Sequence, residues 1–199
     1  MTETNSDQRG SDDAVDVALM RQVMEGDHAA FENLVLRHQH AVVGTVAKMM
    51  GNPRDAEDIA QQVFVRLWKS APRYKATAKF TTFLFTITRN LVFNESRKRK
   101  RRKEHSLEEQ EEDWHQALSD SQEKRPDEEA LQAELKVAVD RAIDALPEKQ
   151  RMAVILRRYE NLPYEEIADV LELSVSAVKS QLFRARTTLR ESLEQYLEA

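Results

Sequence analysis

The chain has 199 residues, 33% of them charged, a formal net charge of −5 and no cysteine. That length admits one domain or two small ones. The missing thiols exclude a disulfide scaffold, a thiolate metal site and a cysteine nucleophile, and no apolar run approaches the ~20 residues that span a bilayer. An acidic average argues against a protein that coats nucleic acid unaided. The average conceals blocks, however: an unbroken basic run from Arg97 to Lys103, then eleven acids against two bases between Glu104 and Glu129.

Glycine occurs only at 10, 26, 44 and 51, and proline at 53, 72, 126, 147 and 163, where periodic segments begin or end. This punctuation predicts an all-α protein. The polar, acidic start MTETNSDQRGSDD predicts a disordered tail over residues 1–13 of a cytoplasmic protein. Two apolar-periodic segments follow, 14–97 and 129–199, separated by a charged segment, 98–128, too poor in apolar residues to offset chain entropy. The expected architecture is two small helical domains joined by a flexible linker, on which Trp114 and Leu118 are the residues able to dock.

In chain order, the first helix is expected from Val15 to Glu25, ended by Gly26. Asp27 is the N-cap of the second, with Phe31, Leu34, Val35 and 41–49 apolar, ended by Gly51. Asn52-Pro53 opens the third, whose apolar side carries Ile59, Val63, Leu67, Ala60, Phe64 and Trp68, and whose other side shows Glu57, Asp58, Gln61, Gln62 and Arg66. Residues 80–88, FTTFLFTIT, favour a strand by propensity. Phe80, Leu84, Ile87 and Leu91 nevertheless keep helical spacing, and no partner strand is evident, so a helix is expected. Its second face carries Thr82, Phe83, Thr86, Asn90, Asn94 and Arg97. After the linker, 131–146 and a segment opened by Pro147 are expected to be helical.

From Pro163 to Arg190 the sequence reads as a helix-turn-helix. Ile167, Ala168 and Leu171 form one apolar face, and Ser174 is a good N-cap. Val175, Val178, Leu182, Ala185 and Leu189 then form a stripe, opposite Ser176, Lys179, Ser180, Phe183, Arg184 and Thr187, residues suited to base edges and thymine methyls. The acids Glu165, Glu166, Asp169 and Glu172 precede the turn; the bases Lys179, Arg184, Arg186 and Arg190 follow it. A surface helical hairpin is the plainer reading of this segment.

A second constellation runs from Tyr74 to Lys103: Tyr74, Phe80, Phe83 and Phe85, then Asn90 and Asn94, then the basic run. Aromatics beside bases suit single-stranded nucleic acid, with stacking worth about 1–3 kcal/mol per base, and Asn can read an extruded base. The plainer alternative makes all these aromatics core. The acid-amide face at 57–66 is either a solvated face or a docking surface for a partner helix.

Taken together, DAEDIAQQVFVRLW (55–68), FTTFLFTITRN (80–90), the basic run, LPEKQRMAVILRRYENLPYEEIA (146–168) and SVSAVKSQLFRAR (174–186) resemble the extracytoplasmic-function branch of sigma-70-type sigma factors. The resemblance implies a region 2 domain at 14–97, a region 4 domain at 129–199 and a linker that threads the RNA exit path. The implied partners are the β′ and β subunits of bacterial core RNA polymerase and promoter DNA, with an anti-sigma protein as a plausible regulator. It further implies polymerase docking by Asp58, Gln61, Gln62 and Arg66, −10 recognition and melting by Tyr74, Phe83, Asn90, Asn94, Arg97 and Arg99, and −35 recognition by Ser176, Lys179, Ser180, Gln181, Phe183 and Arg184. Four positions depart from the family's habit: Phe83 for Trp, Gln62 for Glu, Glu172 for Gly in the turn and Gln181 for Arg.

Two other functions compete. A stand-alone helix-turn-helix regulator accounts for 163–190 but leaves 74–103 and the linker without a purpose. An enzyme would need a site: Asp55, Glu57 and Asp58 hint at a carboxylate metal cluster, but no second acidic cluster accompanies them, the histidines (28, 38, 40, 105, 115) show no i, i+4 pair, and no glycine-rich phosphate loop exists. No catalytic residue, metal or cofactor is expected.

Overall fold

The helix-ending residues act where the sequence places them. The computed structural model describes residues 3–105 and 126–197. Helix α1 spans Glu3–Met24, α2 His28–Met50, α3 Pro53–Ser70 and α4 Phe80–His105, with a 3-10 turn at Ala71–Arg73. Then follow α5 Pro126–Asp144, α6 Glu148–Arg158, α7 Tyr164–Leu171, α8 Val175–Ser192 and α9 Glu194–Leu197. Among the described residues there is no strand, as the all-α expectation requires.

Local chemistry fixes the boundaries. The Asp27 carboxylate accepts from the backbone N–H groups of Ala29 (2.8 Å) and Ala30 (3.1 Å) at the start of α2. Gly51 ends α2 at φ 62°, with its N–H donating to the Ala47 carbonyl, a left-handed cap that glycine takes without a Cβ penalty. Ser174 accepts from the Ala177 N–H (3.1 Å) at the start of α8. The strand-prone segment at 80–88 is helical, and its threonines show how. Thr86 donates to the Thr82 carbonyl (2.8 Å) and Thr88 to the Leu84 carbonyl (3.0 Å). These back-bonds satisfy the hydroxyls inside a helix.

Three expected boundaries move. Helix α1 begins at Glu3, inside the segment expected to be a disordered tail. Two of its acids then work within the fold: Asp13 accepts from the Phe80 N–H (2.8 Å) at the start of α4, and buried Asp16 pairs with Arg37 (2.7 Å) and His38 (2.9 Å) of α2. Helix α4 carries the basic run on to His105, past the expected linker start at 98, and α5 begins at Pro126. Trp114 and Leu118 lie outside the described residues.

Helices α1–α4 enclose one core, built around Leu34, Val42, Val46, Val63, Leu67, Phe80 and Leu84; α6–α8 enclose another around Met152, Ile155, Leu156, Ile167, Val178 and Leu182. The two are continuous, because α7 packs on α4 and the end of α2 packs on α5 and α6. On α4 the stripe Phe80, Leu84, Leu91 faces the first core. Phe85, Arg89, Val92 and Phe93 lie round the other side of the helix at 100° per residue, and all four are buried. Each apolar side chain buried there adds about 1.5–3 kcal/mol.

Candidate nucleic-acid interface

Three helix faces carry the expected functional residues, and the fold leaves each in a different state. On α3, Ile59, Val63 and Leu67 turn inward. Asp58, Gln61, Gln62 and Arg66 are exposed together on the opposite side, with half-exposed Val65 beside them. This is a mixed face of acid, amide and base with an apolar side chain at its margin, suited to another helix.

On α4, Asn90, Asn94 and Arg97 are exposed along one side, each within one turn of the next. The basic run adds exposed Arg101 and Arg102, while Lys98 pairs with Glu95 (3.4 Å). A crevice of about 310 Å³ between α3 and α4 is bordered by Gln62, Arg66, Asn94, Arg97, Lys98 and Arg101. Cations therefore line the groove where the two faces meet.

The aromatics correct the expectation of an exposed stacking surface. Phe80, Phe85 and Tyr74 are buried, so the core alternative holds for three of the four. The Tyr74 ring tilts against Phe83 at a centroid separation of 5.1 Å, an aromatic pair within the favourable range. Its hydroxyl is buried without a partner among the described residues, and burial raises its pKa. Tyr74 thus braces the 74–79 loop from inside and offers no face to a base in this conformation, whereas half-buried Phe83 remains accessible at one edge. Arg99 is also engaged: its guanidinium binds the Asp55 carboxylate of α3. That pair ties α4 to α3 and takes Asp55 out of the acidic trio that suggested a metal site. Among the described residues no cluster of three His, Cys, Asp or Glu could hold a metal ion.

On α8, Val178, Leu182 and Ala185 are buried against α6 and α7, with Val175 and Leu189 half-buried, as the stripe predicts. Ser176, Lys179, Ser180 and Arg184 are exposed, Gln181 is half-exposed, and Phe183 is 71% exposed. A phenyl ring left so open in a small protein is unexplained by folding; a thymine methyl is a fitting partner for it. Ser180 donates to the Ser176 carbonyl (3.1 Å), which leaves its lone pairs outward.

The turn between α7 and α8 resolves the Glu172 departure. Its φ is 53° and ψ 49°, so an L-residue occupies the left-handed region that favours glycine, at about 1–2 kcal/mol. The side chain that glycine lacks reaches across to α4, where the Arg89 guanidinium donates to Oε1 at 2.6 Å. That hydrogen bond, and the charge of Arg89 behind it, lower the Glu172 pKa. Nearby, Lys79 Nζ lies 2.7 Å from Glu166 Oε1 of α7. At the far end of this junction Thr45 of α2 donates to Glu160 (3.2 Å), Lys48 sits 4.5 Å over the Tyr159 ring and Arg151 donates to the Met49 carbonyl (2.9 Å). Sequence reasoning missed these partners. The local signal for them was a second apolar strip on α4, Phe85, Val92 and Phe93, all buried in the fold, of which Phe85 reads in sequence as a stacking residue and Val92 and Phe93 have no assigned role.

Comparison with known proteins agrees with this arrangement. The family model described as sigma-70 region 2 matches residues 34–102, and that described as sigma-70, region 4 matches 136–189. The RNA polymerase sigma-H factor of Pseudomonas aeruginosa is 32% identical over 186 residues, covering 92% of this chain and 95% of the relative. The ECF RNA polymerase sigma-E factor of Escherichia coli K12 is 31% identical over 188 residues, covering 92% and 97%. Among solved structures, the sigma factor RpoE bound to the anti-sigma factor NepR from Bartonella quintana superposes with a TM-score of 0.67 at 25% identity, covering 82% of this chain and 96% of that one. The chain therefore belongs to the extracytoplasmic-function branch of the sigma-70 family and is an RNA polymerase sigma factor.

Proposed function

We propose that the three faces divide the work of promoter-specific initiation. As a sigma factor the protein is not an enzyme; it binds core RNA polymerase and promoter DNA. In our reading the α3 face at Asp58, Gln61, Gln62 and Arg66 docks on the polymerase. Residues 3–105 form the unit that opens and reads the −10 element: Asn90 and Asn94 bind the edges of extruded bases, Phe83 stacks, and Arg97 with Arg101 and Arg102 holds phosphates. Residues 126–197 form the unit that lays α8 in the major groove of the −35 element, through Ser176, Lys179, Ser180, Gln181, Phe183 and Arg184. Compared with the sequence expectation, Tyr74 moves to a bracing role and Arg99 to an internal ion pair.

The observation that carries this reading is the exposure of two chemically different faces: amides and cations on α4, and a polar, basic surface around Phe183 on α8. Extruded bases need hydrogen-bonding amides, and duplex needs an entire helix face. Bases trapped on α4 hold the bubble open by mass action, so strand opening consumes no nucleotide. The solved relative in complex with an anti-sigma factor supports regulation of this chain by such a partner. The reading places the protein in the bacterial cytoplasm, with the polymerase and the chromosome. No helix among the described residues is long and apolar enough to cross a membrane.

Transcription from a promoter library by cognate core polymerase tests the reading. Wild-type protein should select promoters with two conserved blocks; Asn90→Ala should relax choice within the downstream block alone, and Lys179→Ala within the upstream block alone. Loss of choice in both blocks from either substitution would defeat the division of labour.

A further inference from the structure

The acids that crowd α7 have no place in DNA recognition, and two of them occupy the cations at the head of α4. We infer that α7 and its following turn form an autoinhibitory clasp, in which the Glu166 and Glu172 carboxylates stand in for promoter phosphates on Lys79 and Arg89. The inference rests on the reading of α4 as the strand-opening helix.

Lys79 immediately precedes α4 and Arg89 immediately precedes the exposed Asn90, so each cation adjoins residues that would meet the unpaired strand: Phe83 lies between the two and Asn90 follows the second. Lys79 meets Glu166 at 2.7 Å and Arg89 meets Glu172 at 2.6 Å. The Arg89 side chain is 8% exposed while that of Glu172 is 72% exposed. The carboxylate thus covers the guanidinium from outside, as a phosphate approaching from solvent would. Phe85, Val92 and Phe93 lie buried round the same side of α4, so lifting α7 away uncovers an apolar strip together with both cations. The device belongs to this chain's own sequence. A glycine at 172 would relax the backbone at φ 53° but leave Arg89 with no carboxylate. Acids before the turn and bases after it thus have separate uses: Glu166 and Glu172 hold the head of α4, and Lys179 and Arg184 face duplex DNA.

With no native cysteine, the full chain takes two spin labels cleanly, at Glu32→Cys on α2 and Glu191→Cys on α8, both exposed. Double electron–electron resonance should give one narrow distance for the parent at low salt. Glu166→Gln with Glu172→Gly should broaden it toward longer distances, and Glu165→Gln, which removes an exposed acid from the same helix, should leave it narrow. Circular dichroism of the double variant should show the helices retained, glycine being the residue the turn geometry favours. In parallel, binding of the polymerase-free chain to a fluorescent single-stranded oligonucleotide library should strengthen about fivefold in the double variant, the scale of two partly screened ion pairs. An unchanged distance distribution overturns the clasp. A distribution that opens with no gain in strand binding overturns instead the reading of α4 on which the masking depends.

Discussion

Replacing Arg151 by Met should destabilise the fold more than its place on a short helix suggests. The last carbonyls of a helix have no intrahelical donor, and Arg151 serves two helices at once. Its guanidinium donates to the Met49 carbonyl at the end of α2 (2.9 Å), to the Asp144 carbonyl at the end of α5 and, at 3.3 Å, to the Leu146 carbonyl. A cation also suits both negative helix ends. Burial lowers its pKa, opposed by the charges of Asp144 and Glu148, and an arginine so placed stays protonated at neutral pH.

Methionine keeps much of the volume and supplies no donor. Two well-formed charge-assisted bonds are worth about 1.5–3 kcal/mol each. Relief from burying a cation returns part of that, leaving a net loss of about 2–4 kcal/mol. For a chain of this length each kcal/mol lowers Tm by about 2–4 °C, so R151M should melt roughly 8 °C lower by the same relation. Urea denaturation followed by circular dichroism measures the loss. Arg151→Lys, which can reach one carbonyl but not span two, should fall between. If R151M lies within about 0.5 kcal/mol of the parent, or R151K is the less stable of the two, the bridging account is wrong.

Asp13→Ala should cost about 1 kcal/mol, the value of an N-cap, although Asp13 is remote in sequence from the helix it caps; Asp13→Asn, which keeps an acceptor, should recover most of it in the same denaturation assay. Acid titration should separate two glutamates. Burial raises the Glu160 pKa, so its contribution is full below the ordinary carboxylate range and declines as pH rises through its folded value; Glu160→Gln should remove that decline from a plot of Tm against pH. Glu172, whose pKa is lowered by Arg89, contributes above the ordinary range and loses its contribution as pH falls through its depressed value, so Glu172→Gln should flatten the acid limb. Neutralising Arg101 and Arg102 should lower the salt slope of promoter binding by about 0.7–0.9 for every phosphate they neutralise, whereas Arg99→Gln should chiefly reduce stability, since Arg99 is paired with Asp55.

Most helix boundaries in this protein are local facts, and local chemistry makes them legible. Asp27, Gly51 and Ser174 act within four residues of where they stand, and the stripe of α8 is read from spacing alone. The exposed amides of α4 were legible for the same reason, once helical spacing was weighed above strand propensity. What the sequence concealed was long-range. Burial of Tyr74 depends on Phe83, nine residues on, and on packing of the preceding 3-10 turn against α1. The N-terminal segment has a disordered composition, yet Asp13 finds a partner in the Phe80 N–H, far along the chain. The linker boundary at 98 likewise rests on a scarcity of apolar residues, which is visible in sequence, whereas the Asp55 that pairs with Arg99 on the extended α4 is not.

The same distinction explains why Glu172 drew attention for one reason and matters for another. In sequence it is a defect, a side chain where the turn geometry favours none. In the fold that side chain reaches Arg89, and it is held there by a backbone that a glycine would relax. Strain in the turn and attraction across to α4 therefore oppose each other at one residue. A clasp of that kind closes when the acidic helix has no competitor and yields when polyanionic DNA offers the same cations better partners. Such balance suits a dissociable specificity subunit, which must keep its strand-binding helix covered while free and release it without an energy source when the promoter complex forms.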